Sequence, residues 1–269
     1  MKTLTAHILT LLALLAAIPA GALAQHAGHG AAASSPSATA PTSSEVRPFD
    51  FRGFGSFRRI SHTGDTSGQV KLADLPQGAG HWGMGALAGF AGEVLLYDGR
   101  LLVSRGEELQ GRADAARPDD QAVLFAVGRV AEWRSVTLGE DMERGRFEAF
   151  VVAQAKALGL DTAQPFPFVV EGRYPALVWH VVTGAPSTPK HGQVAAGGHA
   201  NKHSAMHVFD QPQAPGQLVG LYSGEALEGV VSHPGERFHV HFVDPSLAFS
   251  GHVDSYAVAR GATLRLPVR

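Results

Sequence analysis

The chain contains 269 residues, of which 45% are hydrophobic and 17% are charged, so most of it can bury a core. Its 22 lysines and arginines against 24 acidic residues give a formal net charge of -2, which argues against a nucleic-acid binder because such proteins carry a basic excess. The absence of cysteine excludes disulfides, iron–sulfur clusters and cysteine-ligated zinc, whereas 14 histidines keep a histidine-ligated metal open.

The first residues of the chain (1–24) have the pattern of a secretory signal peptide. An early lysine precedes an apolar run over residues 8–18, and small residues end the segment. We therefore predict cleavage after Ala24 and a periplasmic or secreted protein with no membrane attachment afterwards; an uncleaved anchor is the alternative. Residues 25–47, rich in Ala, Ser, Thr and Pro, predict a disordered linker, and the folded domain is expected over 48–269.

The first half of the folded domain is predicted to be mostly β-structure. Aromatic and polar residues alternate over 49–60, which is typical of a strand. Residues 93–97 and 101–104 predict a hairpin, because the Asp98-Gly99 pair between two apolar runs is a strong turn signal. Residues 122–137 predict a further pair of strands.

The second half combines one long helix with further strands. Acidic residues open the stretch 140–158, apolar residues follow at helical spacing, and Gly159 supplies a stop, so this stretch is the predicted main helix. Residues 166–182 predict a hairpin that turns near Glu171 and Gly172, and 186–204 predict a polar loop with three histidines. Many strands with one good helix indicate a β-rich α+β fold.

Three histidines near the end of the chain form the pattern with the clearest chemistry. Polar and apolar residues alternate over 238–242, so a strand there places His239 and His241 side by side on one face. His252 follows after a loop of the length that an adjacent strand needs to return. Three histidines and an open position are the arrangement of a catalytic zinc site, and a plain surface pair of histidines is the alternative for the first two.

The surrounding residues resemble a known family. The run GERFHVHFVDPSLAFSGHV, at 235–253, is similar to the signature of the alpha-acetolactate decarboxylase family, which has Gly-Tyr-His-Leu-His-Phe and then Gly-Gly-His-Val. LADLPQGAGHWGMGALAGFAGEVLLYDGRLLV, at 72–103, resembles the family's N-terminal block, and GQLVGLYS, at 216–223, resembles the strand before its histidines. The similarity extends, with gaps, from about residue 70 to 265.

This resemblance implies a fold, an activity and a set of site residues. The implied fold is a mixed sheet packed with a smaller, antiparallel, barrel-like sheet that carries the metal, with one main helix. The implied activity is the metal-dependent decarboxylation of 2-acetolactate, or a related 2-hydroxy-3-keto acid, to acetoin and carbon dioxide. His239, His241 and His252 match the family's zinc ligands, although all-imidazole sites also accept other divalent transition metals. Glu93 matches a functional glutamate of the family.

Two departures from the family pattern leave alternatives open. His180 stands where the family has an arginine; it is predicted to serve catalysis, to join the metal site, or to be a half-buried strand histidine beside Trp179. No glutamate follows Glu236, so the role of the family's second functional glutamate is vacant or filled by another group. The chain is therefore expected to be a weak or diverged decarboxylase, or else a non-catalytic metal- or ligand-binding protein that kept the fold and the three histidines.

The expected partner is a small keto or hydroxy acid, with no nucleic acid. The sequence leaves a homodimer open.

Overall fold

Two antiparallel sheets contain every strand in the part of the chain that the structure, a computed structural model, describes: residues 50–184 and 205–268. The predicted signal peptide (1–24), the linker (25–47) and the polar loop at 186–204 lie outside these residues. All described residues belong to one compact unit of the chain.

The first sheet is built from the seven strands that come first in the chain. They are β1 (Asp50–Phe54), β2 (Val70–Lys71), β3 (His81–Leu87), β4 (Gly92–Tyr97), β5 (Arg100–Arg105), β6 (Ala113–Asp114) and β7 (Gln121–Arg129). Their order is β1-β7-β3-β4-β5-β6, with β2 also paired to β7. The predicted hairpin is confirmed as β4 and β5: Asp98 and Gly99 both have positive φ, at 45° and 82°, as a tight hairpin turn requires.

The second sheet is built from the nine strands that follow. They are β8 (Trp133–Thr137), β9 (Met142–Glu143), β10 (Phe166–Tyr174), β11 (Ala176–Val182), β12 (Met206–Asp210), β13 (Ala214–Tyr222), β14 (Phe238–Val243), β15 (Ser250–Val258) and β16 (Thr263–Pro267). Their order is β12-β11-β15-β14-β13-β10-β16-β8, with β9 also paired to β15.

The described residues contain two α-helices, α1 (Phe57–Thr63) and α2 (Arg144–Ala157), and two short 3-10 turns (Leu72–Asp74 and Ala88–Phe90). The main helix is thus confirmed, but it begins later than predicted, because Met142 and Glu143 pair with β15 instead. The acidic residues expected in its first turn therefore precede it. Gly159, with a φ of 77°, follows the end of α2 as predicted. Neither helix has the length and apolar character needed to span a bilayer.

The β-rich α+β class is confirmed, and two details differ from the expectation. Every strand pair among the described residues is antiparallel, where a mixed sheet was expected, because parallel neighbours need long crossovers and most connections here are short. The sheet that carries the three histidines is the larger one, with nine strands against seven.

Three local predictions were wrong in part. The stretch 49–60 divides into β1 and α1, because the Ser56 hydroxyl accepts a hydrogen bond from the Arg59 N–H and begins a helix. The stretch 122–137 holds two strands, β7 and β8, but they lie in different sheets. The stretch 166–182 is not a hairpin: β10 and β11 are separated at Pro175, and each pairs with other strands.

The site lies where the two sheets face each other. On one face of the second sheet, Phe147 of α2 contacts the rings of Phe168 and Tyr256, and Phe168 contacts Phe238. Side chains alternate along β14, so His239 and His241 lie on the opposite face, towards the first sheet. Apolar residues of both sheets form one buried cluster around this interface.

Candidate metal centre and its cleft

Strand register brings four imidazoles together on the face of the second sheet that meets the first. The strands β11, β15 and β14 are neighbours, and His252 on β15 stands opposite both His180 on β11 and His241 on β14. His239 lies two residues before His241 on the same face. Ring centroids of His239, His241 and His252 are 5.0–5.5 Å apart.

The three predicted ligands converge on one point. His239, His241 and His252 each offer a ring nitrogen, and these three atoms lie within 4.8 Å of one another. The Nε2 atoms of His239 and His241 are 3.3 Å apart. Two nitrogens that bind one zinc ion tetrahedrally, at about 2.0–2.1 Å, are separated by roughly this distance. The donor set therefore fits a divalent transition metal.

Burial keeps these imidazoles neutral, as a metal ligand must be. Burial lowers the pKa of His239 to about 4 and lowers the pKa values of His241 and His252 well below the usual range. His239 Nδ1 donates a hydrogen bond to the Val231 carbonyl at 2.8 Å, which leaves the Nε2 lone pair free for a metal. The alternative of a surface histidine pair is wrong, since His239 and His241 are 3% and 0% exposed.

Glu93, the predicted catalytic carboxylate, comes from the first sheet and faces the histidines. Its Oε2 lies 3.7 Å from His241 Nε2, and its Oε1 lies 3.9 Å from His180 Nε2. Burial raises the pKa of Glu93 to about 7, against the opposing effects of the His180 charge and a backbone hydrogen bond at Val182. The carboxyl group can therefore hold or release a proton near neutral pH.

His180, the other predicted catalytic residue, is held by a carboxylate that the sequence did not indicate. Its Nδ1 donates to the Asp254 carboxylate, at 2.9 Å from each oxygen. The register between β11 and β15 shifts here: Val178 faces Ser255 and Trp179 faces Val253, so Asp254 is the extra residue of a β-bulge. Burial alone would lower the pKa of His180, but the hydrogen bond and the charge of Asp254, with the charge of Glu93, raise it overall. His180 thus contacts two carboxylates, and its ring also lies 4.9 Å from that of His252, although it is not one of the three histidines whose nitrogens converge.

A small, partly enclosed cleft adjoins these groups. Glu93, His180, His239, His252 and Asp254 line it, and its remaining walls include Phe57, Phe90, Arg144, His233 and Glu236. The Arg144 guanidinium donates from Nε to Glu148 at 2.8 Å and from Nη1 to the Asp254 carbonyl at 3.0 Å.

Four ionisable residues that line the cleft were not predicted: Arg144, His233, Glu236 and Asp254. Glu236 and Asp254 stand within three residues of His239 and His252, and this nearness along the sequence was a usable signal. Arg144 is 95 or more residues away from His239, His241 and His252, and no local pattern in the sequence marks it.

The arrangement combines a metal-binding trio, a carboxyl group with a near-neutral pKa and an imidazole fixed by a carboxylate. Together these groups can bind an oxygen-rich anion at a metal and transfer a proton to it.

Comparisons with known proteins agree with this geometry. The family model described as alpha-acetolactate decarboxylase matches residues 60–267, a span that holds all of the second sheet and most of the first. The fold is similar to that of an alpha-acetolactate decarboxylase from Bacillus subtilis strain 168, at 15% identity and a TM-score of 0.60, with 80% of this chain and 85% of that chain covered.

Two further solved structures have the same fold. An acetolactate decarboxylase from Bacillus subtilis subspecies spizizenii has 16% identity and a TM-score of 0.61, with 81% of this chain and 86% of that chain covered. A Staphylococcus aureus protein of unknown function, similar to alpha-acetolactate decarboxylase, has 15% identity and a TM-score of 0.58, with 80% and 84% covered. No curated protein matches the chain in sequence.

Proposed function

This chain belongs to the alpha-acetolactate decarboxylase family, and from that membership we propose that it is a metal-dependent carboxy-lyase. Its proposed reaction converts 2-acetolactate, or a related 2-hydroxy-3-keto acid, to acetoin and carbon dioxide. The observation that carries the proposal is the position of Glu93, whose carboxylate oxygen lies 3.7 Å from a nitrogen of the histidine trio inside a cleft.

The reaction requires an acceptor for one electron pair and a donor of one proton. The bond between the carboxylate carbon and C2 of 2-acetolactate breaks, and carbon dioxide leaves. The electron pair of that bond becomes the C2–C3 double bond, and the ketone oxygen takes the negative charge as an enediolate. Protonation of C2 then gives acetoin, so one proton is consumed in each turnover.

His239, His241 and His252 are the proposed ligands of a zinc ion, or of another divalent transition metal. When bound, the ion supplies Lewis-acid stabilisation for negative charge that develops on the ketone oxygen. Because all three ligands are neutral, they leave the full double charge of the ion available for this purpose.

Glu93 is the proposed proton donor for C2. A general acid works best when its pKa lies near the operating pH, and burial raises the pKa of Glu93 to about 7. His180, whose Nε2 lies 3.9 Å from Glu93 Oε1, contributes positive charge to the same wall of the cleft when it is protonated. Both side chains are buried, which limits the access of bulk water to the transferred proton.

Export to the periplasm or the medium is also proposed, on the pattern of residues 1–24. An exported enzyme would act on substrate outside the cytoplasm.

The test is to incubate the zinc-loaded protein with racemic 2-acetolactate and to measure acetoin and carbon dioxide. We expect equal amounts of the two products, no product from His241→Ala, and full activity from His207→Ala, whose imidazole contacts the Gly106 carbonyl outside the cleft. Zinc bound one to one without acetoin above the zinc-only background would contradict the proposal and indicate a non-catalytic metal-binding protein.

A further inference from the structure

We infer that Arg144 is a substrate-binding residue, whose guanidinium holds the carboxylate of the anionic substrate in the cleft. The inference rests on the proposed function, because it takes a small 2-hydroxy carboxylate as the ligand. It adds a residue from the start of α2 to a site otherwise built from β-strands.

The charge of the cleft calls for a fixed cation. Besides Glu93, the proposed proton donor, the carboxylates of Glu236 and Asp254 line it, and these two oppose the entry of an anion. Among the described residues that line the cleft, Arg144 has the only guanidinium, and none has an ammonium group. Unlike an imidazole, a guanidinium stays charged at every working pH and can bind a carboxylate through two parallel hydrogen bonds.

Arg144 has donors left for a ligand. A guanidinium has five N–H groups, and the described structure uses two of them, one to Glu148 and one to the Asp254 carbonyl. Glu236 approaches Nη2 only to 3.7 Å, beyond hydrogen-bond distance. Arg144 lines the cleft, and its side chain is 32% exposed.

The backbone fixes Arg144 relative to the other site residues. Glu143, directly before it, pairs with Ala257 of β15, the strand that carries His252 and Asp254. The guanidinium holds the carbonyl of Asp254, and the carboxylate of the same residue holds His180. One residue of the bulge therefore orients both cationic side chains, which is the preorganisation that a binding site for a small anion needs.

The alternative is that Arg144 only joins α2 to β15. Calorimetric titration of the zinc-loaded protein with two probes distinguishes a substrate-binding role of Arg144 from a purely structural one. The first probe, 2-hydroxy-2-methylpropanoate, carries a carboxylate, and the second, acetoin, is uncharged. Arg144→Gln should raise the Kd of the carboxylate probe by roughly tenfold or more and change the Kd of acetoin by less than about twofold. The matched control is Arg146→Gln on the same helix, because Arg146 is 62% exposed and pairs with Glu140 outside the cleft; it should change neither.

A second variant keeps the test valid if Arg144→Gln does not fold. Glu236→Gln removes a negative charge 3.7 Å from Nη2 without removing a hydrogen bond of Arg144, so it should strengthen binding of the carboxylate probe and leave binding of acetoin unchanged. Equal loss of both probes in Arg144→Gln, or no change in either variant, would overturn the inference.

Failure of the proposed function gives a different result. Carboxylate binding that depends on Arg144 without any decarboxylation would contradict the proposed decarboxylase activity and support the role of Arg144 in binding. Decarboxylation with an unchanged KM in Arg144→Gln would support the proposed activity and overturn the role of Arg144.

Discussion

His180 Nδ1 lies 2.9 Å from both carboxylate oxygens of Asp254, although 74 residues separate the two along the chain. The contact exists because Asp254 is the extra residue of a β-bulge, which turns its side chain towards β11. The opposite edge of the same imidazole faces Glu93. A bulge in one strand thus sets the orientation of a group in the neighbouring strand, and through it the surroundings of the carboxyl from the other sheet.

The first prediction concerns this contact. Asp254→Asn should lower kcat by about 10- to 100-fold, because an amide cannot hold His180 as a carboxylate does. Bound zinc, measured by elemental analysis, should stay at the wild-type level, since Asp254 is not one of the three ligands. Asp161→Asn is the control, because the Asp161 side chain accepts a turn hydrogen bond from the Ala163 N–H and does not line the cleft. Loss of zinc together with activity would show that Asp254 supports the metal site instead.

The grouping of His239 with His241 could be predicted because its signal is local: the two side chains share a strand face by alternation. Glu93 follows only from the resemblance to the family's N-terminal block, although the Asp98-Gly99 turn beside it depends on neighbouring residues alone. The placement of Asp254 depends on a register shift between two strands that are far apart in sequence, and no local pattern reports such a shift.

The fold shows the same limit. The β4–β5 hairpin was predicted correctly because its two strands pair with each other. The stretch 166–182 has equally clear β-character, but β10 takes β13 and β16 as partners, and β11 takes β12 and β15. Strand character can be predicted from a segment, whereas the partner is chosen by the rest of the sheet.

The second prediction concerns the metal. Removal of metal with a chelator should abolish decarboxylation, and zinc should restore it. Zinc should also raise the Tm, since a ligand that binds only the folded state at 100 times its Kd adds about 2.7 kcal/mol to the free energy of unfolding. His252→Ala should lose both effects. His81→Ala, outside the cleft, should keep both. A zinc-dependent rise of the Tm in His252→Ala equal to that of the wild type would place the metal elsewhere.

The third prediction uses the raised pKa of Glu93. In the folded, metal-free protein this pKa is about 7, above the usual value of 4.5. The neutral carboxyl of Glu93 therefore contributes stability that is fully present below pH 4.5 and is lost as the pH rises through 7. Gln mimics the protonated carboxyl. Glu93→Gln should therefore leave the free energy of unfolding unchanged at pH 4.5 and raise it by up to about 3 kcal/mol at pH 9.

Urea unfolding of the metal-free proteins at the two pH values measures this difference. The same variant, loaded with zinc, should lose about 100-fold or more in kcat, because glutamine cannot donate a carboxyl proton. A gain in stability that is equal at both pH values would contradict the assigned ionisation.

The fourth prediction concerns a buried ion pair whose residues do not line the cleft. Arg105 donates to both carboxylate oxygens of Asp120, at 2.9 and 2.7 Å, and the two side chains are only 7% and 10% exposed. Asp120→Asn should lower the free energy of unfolding by about 2–4 kcal/mol at pH 7, because it leaves the Arg105 charge buried without its partner. Glu107→Gln, which breaks the exposed pair with Arg117, should change it by less than about 0.5 kcal/mol.

The pH dependence of this pair has the opposite sign to that of Glu93. Burial would raise the pKa of Asp120, but the hydrogen bond and charge of Arg105 and the Arg117 N–H outweigh it and lower the pKa below 3.8. A lowered carboxyl pKa contributes stability that is present above pH 3.8 and is lost as the pH falls through the folded-state value. Wild type and Asp120→Asn should therefore approach each other in stability below pH 3.8 in guanidinium-induced unfolding. A constant difference down to the acid transition would mean that the contact acts through its hydrogen-bond geometry rather than through its charge.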